Sequence, residues 1–200
     1  MEYDVTVIGG GIMGYGLALQ FGAQSQDVTL LDHREENLDR SKRRIRESLE
    51  FLDDRDVLDA SPEAVFDRIG FTLDGRDALE RTDVVLETIS ENLEAKRDLF
   101  EFVADVAPPT AVLATNTSGL EIGDIAEAVP EAANRVAGCH WWNPPYLMPL
   151  VEVVRGPETS TETIERLERF VEAVDRDPIR VNVDVPGIVW NRIQFAVLRE

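Results

Sequence analysis

The stretch from Tyr3 to Asp32 constrains the fold of this chain more than any other. Tyr3-Asp4-Val5-Thr6-Val7-Ile8 is short and β-branched, as a buried strand is, and runs straight into Gly9-Gly10-Gly11-Ile12-Met13-Gly14. A helical run follows from Tyr15 to about Gln24, and a second apolar strand, Val28–Leu31, ends on Asp32. The glycines have separate uses. Gly9 allows a tight turn, Gly11 lets the backbone approach a diphosphate, and Gly14 lets the helix pack close to the strand. Ile12 and Met13 sit between them at the helix start, where free N–H groups attract an anion. Asp32, 18 residues past Gly14, is spaced to bond an adenosine ribose and to repel a 2′-phosphate. Strand, glycine turn, helix, strand and acid together form the dinucleotide-binding fingerprint in its required context, with NAD favoured over NADP.

Downstream, helical and strand patterns alternate. Leu38, Ile45, Leu49 and Leu52 recur at helical spacing between Glu35 and about Asp54, and Ser61-Pro62 opens a short helix through Val65 and Ile69. Gly70–Leu73 reads as a strand and Asp74-Gly75 as a turn. Further strands are expected at Asp83–Glu87, Ala111–Ala114, Arg135–His140, Leu150–Val154 and Ile179–Val183. Helices are expected at Asn92–Ala104, Ile122–Val129 and Glu162–Val174, and another starts after Pro186. Such alternation implies an α/β fold with a doubly wound, mostly parallel sheet.

Charge narrows the partners. The chain carries 39 acidic and 20 basic residues, a net charge of −19, and its only lysines are Lys42 and Lys96. A surface of that sign argues against nucleic acid and anionic membrane as partners. It would also repel an anionic cofactor at low salt, so the composition points to a salty, charge-screening cytoplasm. A single cysteine, Cys139, precludes an internal disulfide and fits a reducing compartment. No basic, apolar leader precedes the first strand, and no apolar run nears the roughly 18 residues of a membrane span.

Three segments end strands or open helices, where open α/β sheets place their sites: Thr115–Ser118, Gly138–Pro145 and Leu150–Glu152. Oxidising an alcohol requires a base for the hydroxyl proton, and histidine is the usual one near neutral pH. His140 sits at a strand end, while His33 follows Asp32 and is expected to face solvent. Glu152 interrupts an apolar strand, so it needs a partner, either an imidazole or a structural arginine. Cys139 has no second soft ligand at ligand spacing, so no metal site is expected.

These segments, read in order, resemble the 3-hydroxyacyl-CoA dehydrogenases. The resemblance rests on G-G-G-I-M-G at Gly9–Gly14, E-N-L-E-A-K at Glu91–Lys96, T-N-T-S at Thr115–Ser118, His140 with W-W-N-P-P, P-L-V-E-V-V at Pro149–Val154, and P-G-I-V-W-N-R at Pro186–Arg192. It implies a Rossmann-type NAD-binding domain over residues 1–185 and the start of a truncated C-terminal helical domain at 186–200, the domain through which relatives dimerise. It also implies an enzyme of fatty acid β-oxidation that oxidises 3-hydroxyacyl-CoA with NAD. In that family the residue matching His140 is the general base, and the one matching Glu152 orients it. The positions of Ser118 and Asn191 hold the substrate oxygen, those of Glu91, Lys96 and Asn143 contact the ribose or nicotinamide side, and Ser48 lies where relatives approach CoA.

Three features depart from the family pattern. Gly119 replaces a second serine, and Asp53-Asp54-Arg55-Asp56 is a poor environment for CoA phosphates. Asn143–Pro149 resembles the branch acting on small free hydroxy acids such as L-gulonate and carnitine. An acyl-CoA, a free 3-hydroxy acid, and a non-catalytic NAD-binding module therefore remain as readings.

Overall fold

The computed structural model describes residues 2–200, in which the apolar strand patterns assemble into one eight-stranded sheet between two helical layers. The elements are β1 (Asp4–Ile8), α1 (Ile12–Ala23), β2 (Asp27–Leu31), α2 (Glu35–Asp53), α3 (Pro62–Phe66), β3 (Ile69–Thr72), α4 (Gly75–Leu79) and β4 (Val84–Glu87). There follow α5 (Leu93–Val106), β5 (Val112–Thr115), α6 (Ile122–Ala126), a 3-10 turn (Pro130–Arg135), β6 (Val136–Trp141), β7 (Leu150–Val154), α7 (Thr161–Ala173), β8 (Asp177–Val181) and α8 (Val189–Arg199). The strand order is β3-β2-β1-β4-β5-β6-β7-β8. The strands from β3 to β6 are parallel; β7 runs antiparallel to β6, and β8 parallel to β7. This is the Rossmann-type, doubly wound arrangement.

Strand side chains alternate between two apolar layers, as the period of two requires. Val5, Val7, Leu86, Ala114, Cys139 and Val153 pack against α1, α2 and α7, whereas Ile8, Val85, Leu113, Val136 and Val154 meet α4, α5 and α6. Phe21 of α1 anchors the first layer, edge-on to Phe170 at 5.1 Å and to Trp141 at 5.3 Å. Each such fully buried ring stabilises by roughly 1.5–3 kcal/mol, with about 0.5–1.5 kcal/mol more for the ring contact. Helix α1 lacks a polar stripe because α2, the sheet and Pro145 surround it. Among the described residues no helix is long and apolar enough to cross a membrane.

The structure departs from expectation at element ends. α1 begins at Ile12, not Tyr15, so the glycine turn already belongs to its first turn. α3 stops at Phe66 and Ile69 opens β3 opposite Val28, because pairing to β2 outcompetes another helical turn. Asp74-Gly75 is a helix start, with the Asp74 carboxylate accepting from the Arg76 and Asp77 N–H groups. α6 ends at Ala126 rather than Val129. β8 begins two residues early, at Asp177, and takes in Pro178, which an edge strand tolerates.

Candidate active site

The carboxyl ends of β1, β2 and β4 open onto a cleft of about 580 Å³ lined by Gly9, Gly11, Asp32, His33, Asn37, Thr88 and Phe102, among others. Gly9 has φ +106°, a conformation that favours glycine. A Cβ on Gly14 would lie 1.7 Å from the Gly9 carbonyl oxygen, so only hydrogen fits where α1 leaves the turn. A Cβ on Gly11 would meet nothing within 4 Å. The backbone is bare where a ligand can approach the N-terminus of α1, and Ile12 lies exposed beside it. Met13 is half-buried.

Asp32 is held rigidly at this cleft. Its Oδ2 accepts from the Gly10 N–H at 2.7 Å, and its Oδ1 accepts from the Arg34 N–H at 2.9 Å and from Asn37 Nδ2 at 3.0 Å. The carboxylate is thereby fixed to the glycine turn itself, so the diphosphate and the ribose of a nucleotide would be positioned together. His33 is solvent-facing as expected, with Nδ1 3.3 Å from Asp32.

Farther along the same sheet edge, His140 and Glu152 lie directly opposite each other across the β6–β7 ladder. His140 Nδ1 donates to Glu152 Oε2 at 2.7 Å, and both residues are buried. The imidazole, not an arginine, is therefore the glutamate's partner. Glu152 Oε1 accepts from the Trp190 N–H at 3.2 Å, and Trp142 packs its ring 5.8 Å from the imidazole. With Nδ1 committed as a donor, the neutral ring presents Nε2 as an acceptor.

The T-N-T-S turn approaches from β5. Glu91 Oε1 accepts from the Thr117 hydroxyl at 2.5 Å, the Gly119 N–H at 2.9 Å and the Ser118 N–H at 3.1 Å. Burial alone would raise the Glu91 carboxyl, but these donors and the Lys96 ammonium outweigh it and hold it below the ordinary carboxylate range. Asn191 Nδ2 donates to the Ser118 carbonyl at 3.0 Å, which brings the two expected oxygen-holding residues together. Ser118, Gly119, Asn191 and Glu91 line a second cleft of about 680 Å³.

The remaining expected residues lie outside these two groups. Lys96 is only 1% exposed, with Nζ bonded to Glu87 at 2.6 and 2.8 Å and 3.6 Å from Glu91, so it faces inward. Ser48, on α2, lies 3.4 Å from the Tyr146 hydroxyl and does not contact the histidine–glutamate pair. Asn143 is exposed at the start of the proline-rich loop. Sequence reasoning did not single out Glu87, whose carboxylate also accepts from the Ile89 N–H and the Thr115 hydroxyl. The signal was available: Glu87 closes an apolar strand, as Glu152 interrupts one. Asn116 was also passed over as an individual residue; its Oδ1 accepts from the Trp141 N–H at 2.8 Å and ties the turn to the end of β6.

The profile of a family described as 3-hydroxyacyl-CoA dehydrogenase, NAD binding domain, matches residues 4–185. The chain belongs to this family. It is 42% identical over 195 residues to a probable 3-hydroxybutyryl-CoA dehydrogenase of Deinococcus radiodurans, covering 97% of this chain and 69% of that protein. It is 38% identical to the human mitochondrial hydroxyacyl-coenzyme A dehydrogenase, covering 98% of this chain and 64% of the relative. The crystal structure of 3-hydroxybutyryl-CoA dehydrogenase from Escherichia coli K12 superposes with a TM-score of 0.90 at 37% identity, over 96% of this chain and 40% of that one. This chain thus spans about two thirds of these curated relatives' length. NAD is the cofactor of the matched domain, and the glycine turn with its bare Gly11 and the Asp32 carboxylate suit it.

Proposed function

We propose that this chain carries the NAD site and the catalytic base of an enzyme that oxidises a 3-hydroxyacyl-CoA to the 3-oxoacyl-CoA, reversibly. The observation that carries the reading is the buried His140–Glu152 pair at the sheet edge, next to the Ser118–Asn191 contact. Bound NAD supplies the acceptor for the hydride leaving C3. His140 Nε2 takes the 3-hydroxyl proton, and in reduction the protonated ring returns it to the alkoxide. Glu152 keeps the ring in the required tautomer and opposes the positive charge that the ring gains. Ser118 and Asn191 hold the substrate oxygen, and Ser48 lies on the acyl-CoA side. Gly9, Gly11, Ile12, Met13, Gly14 and Asp32 hold the adenosine and diphosphate end of NAD. Glu91 and Asn143 serve the nicotinamide side, with Lys96 acting through Glu91.

The division into residues 1–185 and 186–200 belongs to the same reading and is supported by the span of the family match. Dimerisation through a helical domain that follows residue 185 is likewise part of the proposal. A reducing, salt-rich cytoplasm is supported by the net charge of −19 and the single buried cysteine. The test is NADH formation in high salt with 3-hydroxybutyryl-CoA, L-gulonate and carnitine in parallel. Turnover with the CoA thioester, lowered about 10²–10⁴-fold by His140→Gln while NAD affinity holds, is expected. Turnover only with a free acid would reassign the substrate, and NAD binding without any turnover would favour a non-catalytic module.

A further inference from the structure

The first turn of α8 is bonded into the site at several points. The Trp190 N–H reaches Glu152 Oε1, the Asn191 amide reaches the Ser118 carbonyl, and Ile188, which precedes the helix, is buried. α8 itself buries no residue: Val189 and Trp190 keep part of their surface in solvent, and Ile193, Phe195, Val197 and Leu198 are exposed. The helix is therefore held by its first turn and the residue before it, with Trp190 the one of these that touches the catalytic pair.

Trp190 reaches Glu152 directly and His140 through Trp142. Glu152 is 2% exposed and gives only one oxygen to His140, so its second oxygen needs a donor. The donor is one of the leading N–H groups of α8, which have no acceptor within their own helix and lie at its positive end. The Trp190 ring meets Trp142 edge-on at 4.8 Å, and Trp142 in turn lies against the imidazole. His140 is thus held at its edge by Glu152 and at its side by Trp142, and Trp190 supports both.

We infer that Trp190 is a positioning residue for the general base: its N–H fixes the Glu152 carboxylate and its indole fixes Trp142 beside His140. Through it, the seating of α8 sets the orientation of the imidazole. This deepens the dehydrogenase reading and rests on it for the rate, but the orientation itself can be measured without turnover.

The chain's two histidines make the measurement simple, because exposed His33 serves as an internal reference. In ¹⁵N-histidine-labelled protein, the wild type should show a hydrogen-bonded Nδ1 proton and the corresponding nitrogen shifts for His140. Trp190→Ala, which keeps the N–H, should broaden or shift these signals and lower kcat about tenfold or more, with KM for NAD unchanged. Trp190→Pro, which removes the donor as well and is tolerated in a first helical turn, should remove the Nδ1 proton signal. Trp190→Phe should recover most of the rate lost in Trp190→Ala. Melting curves recorded alongside should show folded protein at the assay temperature throughout. Unchanged His140 signals in both Trp190→Ala and Trp190→Pro would overturn the inference, whatever the kinetics. Should the wild type not turn over at all, the dehydrogenase reading fails while the nuclear magnetic resonance arm still decides the mounting.

Discussion

Replacing Lys96 by methionine should destabilise this domain severely, because it strands a carboxylate in the protein interior. Glu87 is fully buried and Lys96 is 1% exposed, and their atoms meet at 2.6 and 2.8 Å. In Lys96→Met the carboxylate keeps the Ile89 N–H and the Thr115 hydroxyl, both at 2.6 Å, but loses its only buried countercharge. Removing one partner of such a pair costs about 3–5 kcal/mol, against a total stability of roughly 5–15 kcal/mol for a typical domain. For 200 residues, at about 2–4 °C per kcal/mol, the melting temperature should fall by roughly 6–20 °C. The double variant Glu87→Gln/Lys96→Met removes both charges and should recover much of that loss, since a neutral pair needs no compensation. Urea unfolding followed by tryptophan fluorescence measures all four corners of the cycle. A loss below about 1 kcal/mol in the single variant, or a double variant no better than the single, would refute the reasoning.

Other outcomes follow from the same geometry. Asp32→Ala should weaken NAD by about 10–100-fold, the worth of a charged hydrogen bond, while narrowing the gap to NADP; calorimetric titration showing equal wild-type affinity for both would contradict the role of Asp32. Burial pushes the Cys139 thiol up to about 12, the Trp141 indole N–H offsetting this only in part, so native protein should resist alkylation at pH 8 and react on unfolding. The thiol of an unfolded chain ionises near about 8.5, so its contribution to stability is complete below that pH and declines as pH rises toward about 12; urea midpoints at pH 8 and 10, compared with Cys139→Ala, read this difference. With a net charge of −19, the melting temperature should climb from millimolar to molar KCl as the Debye length shrinks from roughly 30 Å at 0.01 M to about 3 Å at 1 M, and a flat curve would remove the case for salt adaptation.

Some of this was legible in the residues alone, and the limits have physical causes. The β1–α1–β2 unit was readable because Gly9 and Gly14 satisfy steric demands that no other residue meets, and Asp32 closes the motif. His140 and Glu152 were each suspect, one for its chemistry and one for its burial within an apolar strand. Their partnership depends on β7 running antiparallel to β6, and strand direction leaves no mark in side-chain alternation. Asp74-Gly75 read as a turn because the dipeptide is a turn signal, whereas here its aspartate caps α4. The resemblance puts Lys96 on the ribose or nicotinamide side, and only the buried Glu87 carboxylate, which no spacing ties to it, explains why its ammonium faces inward.

The antiparallel β6–β7 ladder has a bearing on how such chains diverge. Residues opposite one another in a ladder are set by hydrogen-bond register, and where a strand is buried its apolar pattern pins that register along with the connection. The loop over residues 142–149 is tied down by Trp142 against His140 and Trp190, Pro145 against Gly16 and Tyr146 beside Ser48, and its other positions can change while the imidazole and carboxylate stay face to face. One residue inserted within β7 does the opposite: it turns Glu152 to the other face of the sheet and sets a valine against the imidazole. Change in those loop positions is therefore cheap beside change in the strand, and the acid–base device is anchored in the sheet rather than in what the loop presents to a substrate.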